Sequence, residues 1–196
     1  MTKPFKIYNK MLELNFSPFP VLASERLLFR AIRDTDLPEI FALRSNPELM
    51  QYIPRPLITT LEEAKAHLKM IQDKIEANEG INWAMTEKGK DKLISLIGFY
   101  RTENENYRSE IGYMLLPEYQ NKGYITEAIQ TLLQYGFNTM GLHSVEAIID
   151  PRNLASEKVL LKNGFVKEAH FHENCFFNCE YLDSVHYSIL KRNFIK

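Results

Sequence analysis

The sequence is poor in cysteine and contains neither a long apolar run nor a block of one charge. Cys175 and Cys179 are the only cysteines among 196 residues, which excludes a disulfide scaffold. No apolar run approaches the roughly eighteen residues of a membrane-spanning helix, and the opening MTKPFKIYNK lacks the apolar core of a secretory signal. A formal net charge of -1 gives no footprint for nucleic acid. These absences predict a reduced, cytoplasmic protein with no membrane or nucleic-acid partner.

The remaining composition is that of an ordinary globular protein, with 45% hydrophobic and 25% charged residues. This length suits one domain with a full core. Residues 1–20 contain the closely spaced Pro18 and Pro20 and are interpreted as an irregular N-terminal extension. Residues 21–196 are predicted to form a single domain.

Periodicity and turn signals predict seven strands and four helices. Two helices are predicted to open with capping boxes, at Asp36 with Glu39 and at Thr60 with Glu63. A long apolar stripe predicts a helix that begins after Gly123 and ends at Gly141, and the fourth helix spans Asn153–Asn163. The predicted strands are Arg26–Arg30, Asn82–Thr86, Lys92–Arg101, Ser109–Leu116, His143–Ile149, Phe165–His172 and Tyr181–Leu190. The order βααβββαβαββ predicts a mixed sheet covered by helices in one α/β domain.

The most informative segment is Gln120-Asn121-Lys122-Gly123-Tyr124-Ile125, which lies between a predicted strand and a predicted helix. A helix start presents unpaired backbone N–H groups and the positive end of the helix dipole. Gly123 permits a tight turn and a close approach to a ligand. The segment matches neither the Walker A nor the Gly-x-Gly-x-x-Gly pattern, so it is either a pyrophosphate loop of another kind or a plain polar connection.

Three segments together resemble one family. The run from Glu110 to Ala128 resembles motif A of the GNAT superfamily of N-acetyltransferases, in its RimJ/RimL-type, ribosomal-protein-alanine branch. Asn153-Leu-Ala-Ser156 to Phe165 resembles that branch's second motif, and Ser24–Arg30 resembles its opening strand. The resemblance implies an α/β (α+β) fold with a mixed, mostly antiparallel central sheet flanked by helices.

The resemblance also implies a site for acetyl-CoA. Asn153 and Ser156 are expected beside the thioester, and Lys158 near the nucleotide phosphates. Ile125 replaces the usual small residue of the loop, but its register predicts a side chain that faces the core. The residues expected to bind the pyrophosphate through their backbone N–H groups are Gln120, Asn121, Lys122, Gly123, Tyr124, Ile125 and Thr126, and those expected along the pantetheine arm are Met114, Leu115 and Leu116.

Two side chains are candidates for acid–base chemistry. Glu110 takes the place of a glutamate that serves as general base in part of the superfamily; otherwise it is a solvated strand carboxylate. The family's usual acid, a tyrosine, is replaced here by Leu160, which leaves Ser156 as the alternative, unless Ser156 only completes a helix start capped by Asn153. A carboxylate proposed as base in RimL-type enzymes aligns with Cys175. The oxyanion is expected at the backbone N–H near Leu115.

No metal is expected. His170 and His172, with Cys175 and Cys179, fall on a predicted strand and the turn after it, and their spacing matches no common zinc pattern.

The sequence thus predicts an N-acetyltransferase that moves the acetyl group of acetyl-CoA to an amine. The acceptor is a protein N-terminal α-amine or a small-molecule amine. An α-amine, with a pKa of about 8 against about 10.4 for lysine, requires the weaker base. The alternative is a GNAT-fold module that binds acyl-CoA without turnover, and the family resemblance also admits a homodimer.

Overall fold

The computed structural model describes residues 11–194, which build one eight-stranded sheet in the order β1-β2-β3-β4-β5-β6-β8-β7. All neighbouring strands are antiparallel except β5 and β6, which are parallel. The predicted mixed, mostly antiparallel sheet of the α/β class is confirmed. The strands are β1 (Leu22–Ala23), β2 (Leu27–Arg30), β3 (Ile81–Glu87), β4 (Leu93–Glu103), β5 (Arg108–Leu115), β6 (Ser144–Ile149), β7 (Val166–Phe177) and β8 (Glu180–Leu190).

Helices cover both faces of this sheet. One hydrophobic cluster lies under α4, and a second lies under α1 and α3. The apolar stripe predicted for α4 is buried as expected, and the helix continues through a π-helical turn, Gly136–Met140, to Gly141 in the left-handed conformation (φ 82°). The helices are α1 (Leu37–Ser45), α2 (Pro47–Met50), α3 (Leu61–Glu76), α4 (Tyr124–Tyr135), α5 (Leu154–Lys162) and α6 (Lys191–Phe194).

One predicted capping box is confirmed and the other is wrong. The Thr60 hydroxyl accepts from the N–H of Glu63 at 3.2 Å, and the Glu63 carboxylate accepts from the N–H of Thr60 at 3.3 Å. Asp36 makes no cap for α1, because its carboxylate accepts two bonds from Arg30, at 2.7 and 2.8 Å. Arg30 is 5% exposed and Asp36 3% exposed. A guanidinium buried to that extent needs a carboxylate partner, and this requirement decides where Asp36 points.

Residues 11–20 form no helix or strand. They nevertheless contribute the buried side chains of Leu12 and Phe16 to the core, and the indole N–H of Trp83 donates to the carbonyl of Pro20 at 2.7 Å. Residues 1–10 of the predicted extension lie outside the described residues. The division at residue 20 and the single domain 21–196 therefore stay predictions. Between residues 11 and 194 no helix is long and apolar enough to cross a membrane.

Candidate functional site

A cleft opens in the sheet where β5 and β6 separate. The two strands pair only at Arg108–Ser144, Ser109–Val145 and Glu110–Glu146. Beyond Glu110, β5 continues along β4 to Leu115, and β6 continues along β8 to Ile149. Each strand therefore turns one backbone edge toward the gap, which is free to pair with an extended ligand arm.

The loop at the wide end of this cleft has the backbone of an anion site. Gly123 has φ 75° and Asn121 has φ 60°, both left-handed. Among the described residues, the backbone N–H groups from Asn121 to Thr126 have no hydrogen-bond acceptor, while the N–H of Gln120 is bonded to Pro117. Free N–H groups at a helix start, next to left-handed residues, suit a phosphate.

The side chain of Ile125 points into the core, as its register predicted. Ile125 is 8% exposed and packs in the core under α4, so it does not obstruct the loop. Tyr124 is also buried, and its hydroxyl donates to Glu87 at 2.6 Å. Both residues can therefore offer a ligand their N–H groups alone.

Arg26 is a loop neighbour that the sequence reasoning missed. Its guanidinium donates to the carbonyl of Lys122 at 3.0 Å and to the Glu127 carboxylate at 2.7 Å, and lies 4.7 Å from the ring centre of Tyr124. A Cβ on Gly123 would meet only this guanidinium, at 3.6 Å. Arg26 lies within the opening-strand motif, so the motif contained the signal, but nothing in it indicated a contact with a loop about a hundred residues away.

Lys122 and Lys158, two of the residues expected to contact the phosphates, are exposed. The Lys122 ammonium lies 5.1 Å from the ring centre of Tyr119. Lys158 is exposed on α5 and, within residues 11–194, makes no hydrogen bond or ion pair. Both side chains are free to turn toward an anion.

At the end of β5, the three residues predicted to contact the pantetheine arm differ in where their backbone groups point. The N–H of Leu116 donates to the carbonyl of Ile94 at 2.9 Å, its carbonyl accepts from Tyr119, and its side chain is 4% exposed. Because successive N–H groups of a strand point to opposite sides, the N–H of Leu115 points toward the cleft. By the same alternation the N–H of Met114 points toward β4, where Met114 is paired with Leu96, so the geometry favours Leu115 over both Met114 and Leu116.

A pair of hydroxyls lies on the α4 face of the cleft. Tyr113 and Ser156 are joined by a 2.7 Å hydrogen bond, and burial raises the pKa of Tyr113 to about 12. Asn153 accepts from the N–H of Ser156 at 3.0 Å, so the helix-cap role considered for this pair is present together with the Tyr113 contact. Leu160 is fully buried and offers no acid. The sequence did not indicate this contact, because Tyr113 and Ser156 are 43 residues apart along the chain.

Glu110 lies at the narrow end of the cleft, on the opposite face of the sheet from Tyr113. Its side chain is 15% exposed and accepts from Arg101 at 2.6 Å. Burial raises the pKa of Glu110; Arg101 opposes this shift and the adjacent Glu146 adds to it. A carboxyl with a raised pKa is better matched to proton abstraction near neutrality than an ordinary surface glutamate.

A cavity of about 540 Å³ opens between the α1–α3 connection and the tip of the β7–β8 hairpin. Its lining is mainly apolar and contains one charged residue, Arg55, whose charge acts on Glu110. The other lining residues are Pro47, Met50, Gln51, Tyr52, Ile53, Pro54, Pro56, Leu57, Phe177, Asn178 and Leu182.

Comparison with known proteins identifies the family of this chain. The model of the acetyltransferase (GNAT) domain matches residues 26–166. YoaA, an uncharacterized N-acetyltransferase of Bacillus subtilis, is 34% identical over 88% of this chain and 98% of its own. The structure of spermidine N-acetyltransferase from Vibrio cholerae, in complex with CoA and spermine, is 25% identical with a TM-score of 0.77, over 87% of this chain and 98% of that one. The structure of ribosomal-protein-S5-alanine acetyltransferase from Vibrio fischeri is also 25% identical, with a TM-score of 0.77, over 90% of this chain and all of that one.

The split sheet and these relatives define an acyltransferase. The chain belongs to the GNAT acetyltransferase family. It is an acetyl-CoA-dependent N-acetyltransferase, as the sequence predicted.

Proposed function

We propose that the protein acetylates acceptors with a single amine, above all the N-terminal α-amines of peptides, as in the RimJ/RimL branch. In this proposal the amine and the cofactor approach from opposite faces of the split sheet. The observation behind this proposal is the placement of Glu110 on the face of α1 and α3, and of the Tyr113–Ser156 pair on the face of α4. The β5–β6 cleft lies between them.

The residues on the α4 face fit coenzyme A. The free N–H groups from Asn121 to Thr126 bind the pyrophosphate in this proposal, and each charge-assisted bond contributes about 1.5–3 kcal/mol. The carbonyl of Leu115, on the free edge of β5, accepts from an amide of the pantetheine arm. Lys158 is exposed on the helix that borders the same face, where it meets the nucleotide phosphates.

Glu110 accepts the proton of the incoming ammonium, directly or through water, so that a neutral amine attacks the thioester carbonyl. The N–H of Leu115 stabilises the oxyanion. The Tyr113–Ser156 pair donates a proton to the departing thiolate; the phenol of Tyr113 is protonated at neutral pH and lies 2.7 Å from the Ser156 hydroxyl. This pair takes over the role of the tyrosine that Leu160 replaces.

The lining of the cavity favours an acceptor that has one amine with apolar groups next to it. A polyamine needs several carboxylates, whereas the charged group of this lining is an arginine. Arg55 suits an acceptor that also bears a carboxylate or a chain of carbonyls. An α-amine fits this description and needs less help from the base than a lysine side chain does. We therefore do not propose spermidine, the acceptor in the name of the Vibrio cholerae relative, as the acceptor of this protein.

The experiment measures thiol release from acetyl-CoA with a panel of acceptors. The panel contains peptides with free N-terminal alanine or leucine, an N-terminally blocked peptide with one lysine, spermidine, and a small aromatic monoamine. We expect kcat/KM to be highest for a free peptide N-terminus and lowest for spermidine. Equal rates on lysine and N-termini, or a preference for spermidine, would reject the acceptor class. Binding of acetyl-CoA without release from any acceptor would favour the non-catalytic module.

Two wider expectations accompany the proposal. Cytoplasmic location stays a prediction, and so does a homodimer, for which sedimentation of the purified chain is the direct measurement.

A further inference from the structure

A second cluster of chemically active side chains lies on the β7–β8 hairpin, outside the acetyl-transfer site. His170 Nε2 lies 2.8 Å from Asp183 Oδ2, and His172 Nδ1 lies 2.9 Å from the same oxygen. The two imidazole rings are 4.3 Å apart, centre to centre. One donor atom from each of the three residues therefore lies within 4.8 Å of the other two.

The strand geometry explains why these side chains meet. His170 and His172 are two residues apart on β7 and therefore share a face of the sheet. The β7–β8 register shifts between Phe171 and Cys175, so three residues of β7 lie opposite Asp183 alone. This bulge turns the strand at Glu173, whose φ is 49°. The register that precedes the bulge, with Phe171 opposite Ser184, places His172 opposite Asp183 and His170 one step further along the same face.

The Asp183 carboxylate is held in position by the same bulge. Its other oxygen, Oδ1, accepts from the N–H of Glu173 at 2.9 Å, which leaves Oδ2 directed at both imidazoles. An aspartate carboxylate is ionised at physiological pH, and the nearby Asp150 adds negative charge. Orientation of a ligand carboxylate by a backbone N–H is common in metal sites.

We propose that His170, His172 and Asp183 form a binding site for a divalent transition-metal ion of the zinc type. Two imidazoles and one carboxylate are the ligands that Zn²⁺, Ni²⁺ and Cu²⁺ accept, and three protein ligands leave a position for water. Ligand bonds of about 2.0–2.1 Å at right angles separate donor atoms by about 2.9 Å, and tetrahedral bonds by about 3.3 Å. The observed distances from the two imidazole nitrogens to Asp183 Oδ2, 2.8 and 2.9 Å, match the separation for bonds at right angles. A tetrahedral ion requires these atoms to lie only about 0.4 Å further apart. His172 is 76% exposed and free to make that adjustment.

This site differs from the one that the sequence suggested and set aside. The sequence grouped the two histidines with Cys175 and Cys179, but Cys175 is half-buried within β7 and Cys179 lies exposed in the hairpin turn. The third ligand is an aspartate from the next strand. The sequence does not pair it with the histidines, because strand register, not spacing along the chain, brings it there.

The test is a calorimetric titration of the full chain with Zn²⁺, in the presence of a reductant that does not bind metal. We expect one ion per chain and at least a tenfold loss of affinity in His170→Ala and in Asp183→Asn. The matched controls are His143→Ala, which removes an exposed histidine elsewhere, and the double variant Cys175→Ser with Cys179→Ser. Both controls are expected to bind within twofold of the wild type.

A second measurement does not depend on any variant. With Co²⁺ in place of Zn²⁺, the wild type should give visible absorption bands without a thiolate-to-metal charge-transfer band, since the ligands are nitrogen and oxygen. The proposal is overturned if the wild type binds no ion, if the His170 and Asp183 variants bind as well as the wild type, or if the thiolate band appears.

Discussion

The cofactor side and the acceptor side of this enzyme are built in different ways. The residues proposed to bind coenzyme A come largely from the continuous segment that runs from β5 to the start of α4, and most of them act through backbone N–H groups. The cavity proposed for the acceptor combines residues 47–57 with residues 177–182 from the other end of the chain, and its properties depend on side chains. A backbone site needs one local conformation, so its pattern can be recognised in the sequence. A side-chain cavity depends on which distant segments meet, so its substrate has to be read from the structure.

The largest difference between effects on turnover and effects on cofactor binding is expected at Glu110, which lies neither in the cofactor-binding segment nor in the lining of the cavity. Glu110→Gln should reduce kcat by about 100-fold or more and leave the affinity for acetyl-CoA unchanged, because a general base contributes on that scale. Wild-type activity should fall on the acid side as Glu110 is protonated. Because burial raises its pKa, this fall should occur above the usual carboxyl pKa of about 4.3.

The control for this variant is Glu105→Gln, an exposed carboxylate of the β4–β5 turn. In Glu110→Gln the acid limb that belongs to the base should disappear, leaving the limb of the acceptor amine. An unchanged pH profile with reduced kcat would show that another group takes the proton.

Binding of the cofactor should be lost most readily by a substitution at Gly123. Gly123→Asp places a β-carbon at φ 75° and a negative charge beside the pyrophosphate, and we expect the dissociation constant of CoA to rise about 100-fold. The matched control is Gly89→Asp, which imposes a similar strain (φ 79°) and the same charge in an open hairpin turn. Isothermal titration separates the two. Equal CoA affinity in both variants would reject the loop as the phosphate site.

The proposed proton donor should have a smaller effect. Tyr113→Phe removes the hydroxyl bonded to Ser156, and we expect kcat to fall about tenfold with little change in CoA affinity. Tyr135→Phe removes a hydroxyl from a half-buried tyrosine on α4 and should leave turnover unchanged. Steady-state kinetics with the best acceptor decide the question. Full activity of Tyr113→Phe would leave protonation of the thiolate to Ser156 or to water.

The smallest effect is expected for a substitution in the cavity proposed for the acceptor, and it should change only the KM of the acceptor. Phe177→Ala removes an aromatic wall of the cavity, so the acceptor KM should rise about fivefold, equivalent to roughly 1 kcal/mol, while the KM of acetyl-CoA stays the same. The neighbouring Phe176 is 62% exposed and does not line the cavity, so Phe176→Ala is the control. A change in the KM of acetyl-CoA instead would mean that the cavity belongs to the cofactor.

Local patterns predicted the fold well where one element decides its own conformation. The stripe of α4 required a buried Ile125, and the Thr60 box required only residues four positions apart or fewer. The prediction for Asp36 was wrong because an ion pair with Arg30 on a neighbouring element outweighs one cap bond. The Tyr113–Ser156 bond was missed for the same reason, since it joins a strand to a helix more than forty residues away.

The amino-acid order alone determined the order of the seven longer strands and the four longer helices, the tight turn at Gly123 and the family resemblance; the two-residue β1 and the four-residue helices α2 and α6 were not predicted. Each of the predicted features follows from backbone preferences and side-chain periodicity within a short stretch of chain. The folded chain decided which polar side chains meet. The raised pKa of Glu110, the position of Arg26 beside the proposed phosphate loop, and the approach of Asp183 to two histidines all depend on burial and strand register. Those two quantities are set by the packing of the whole domain.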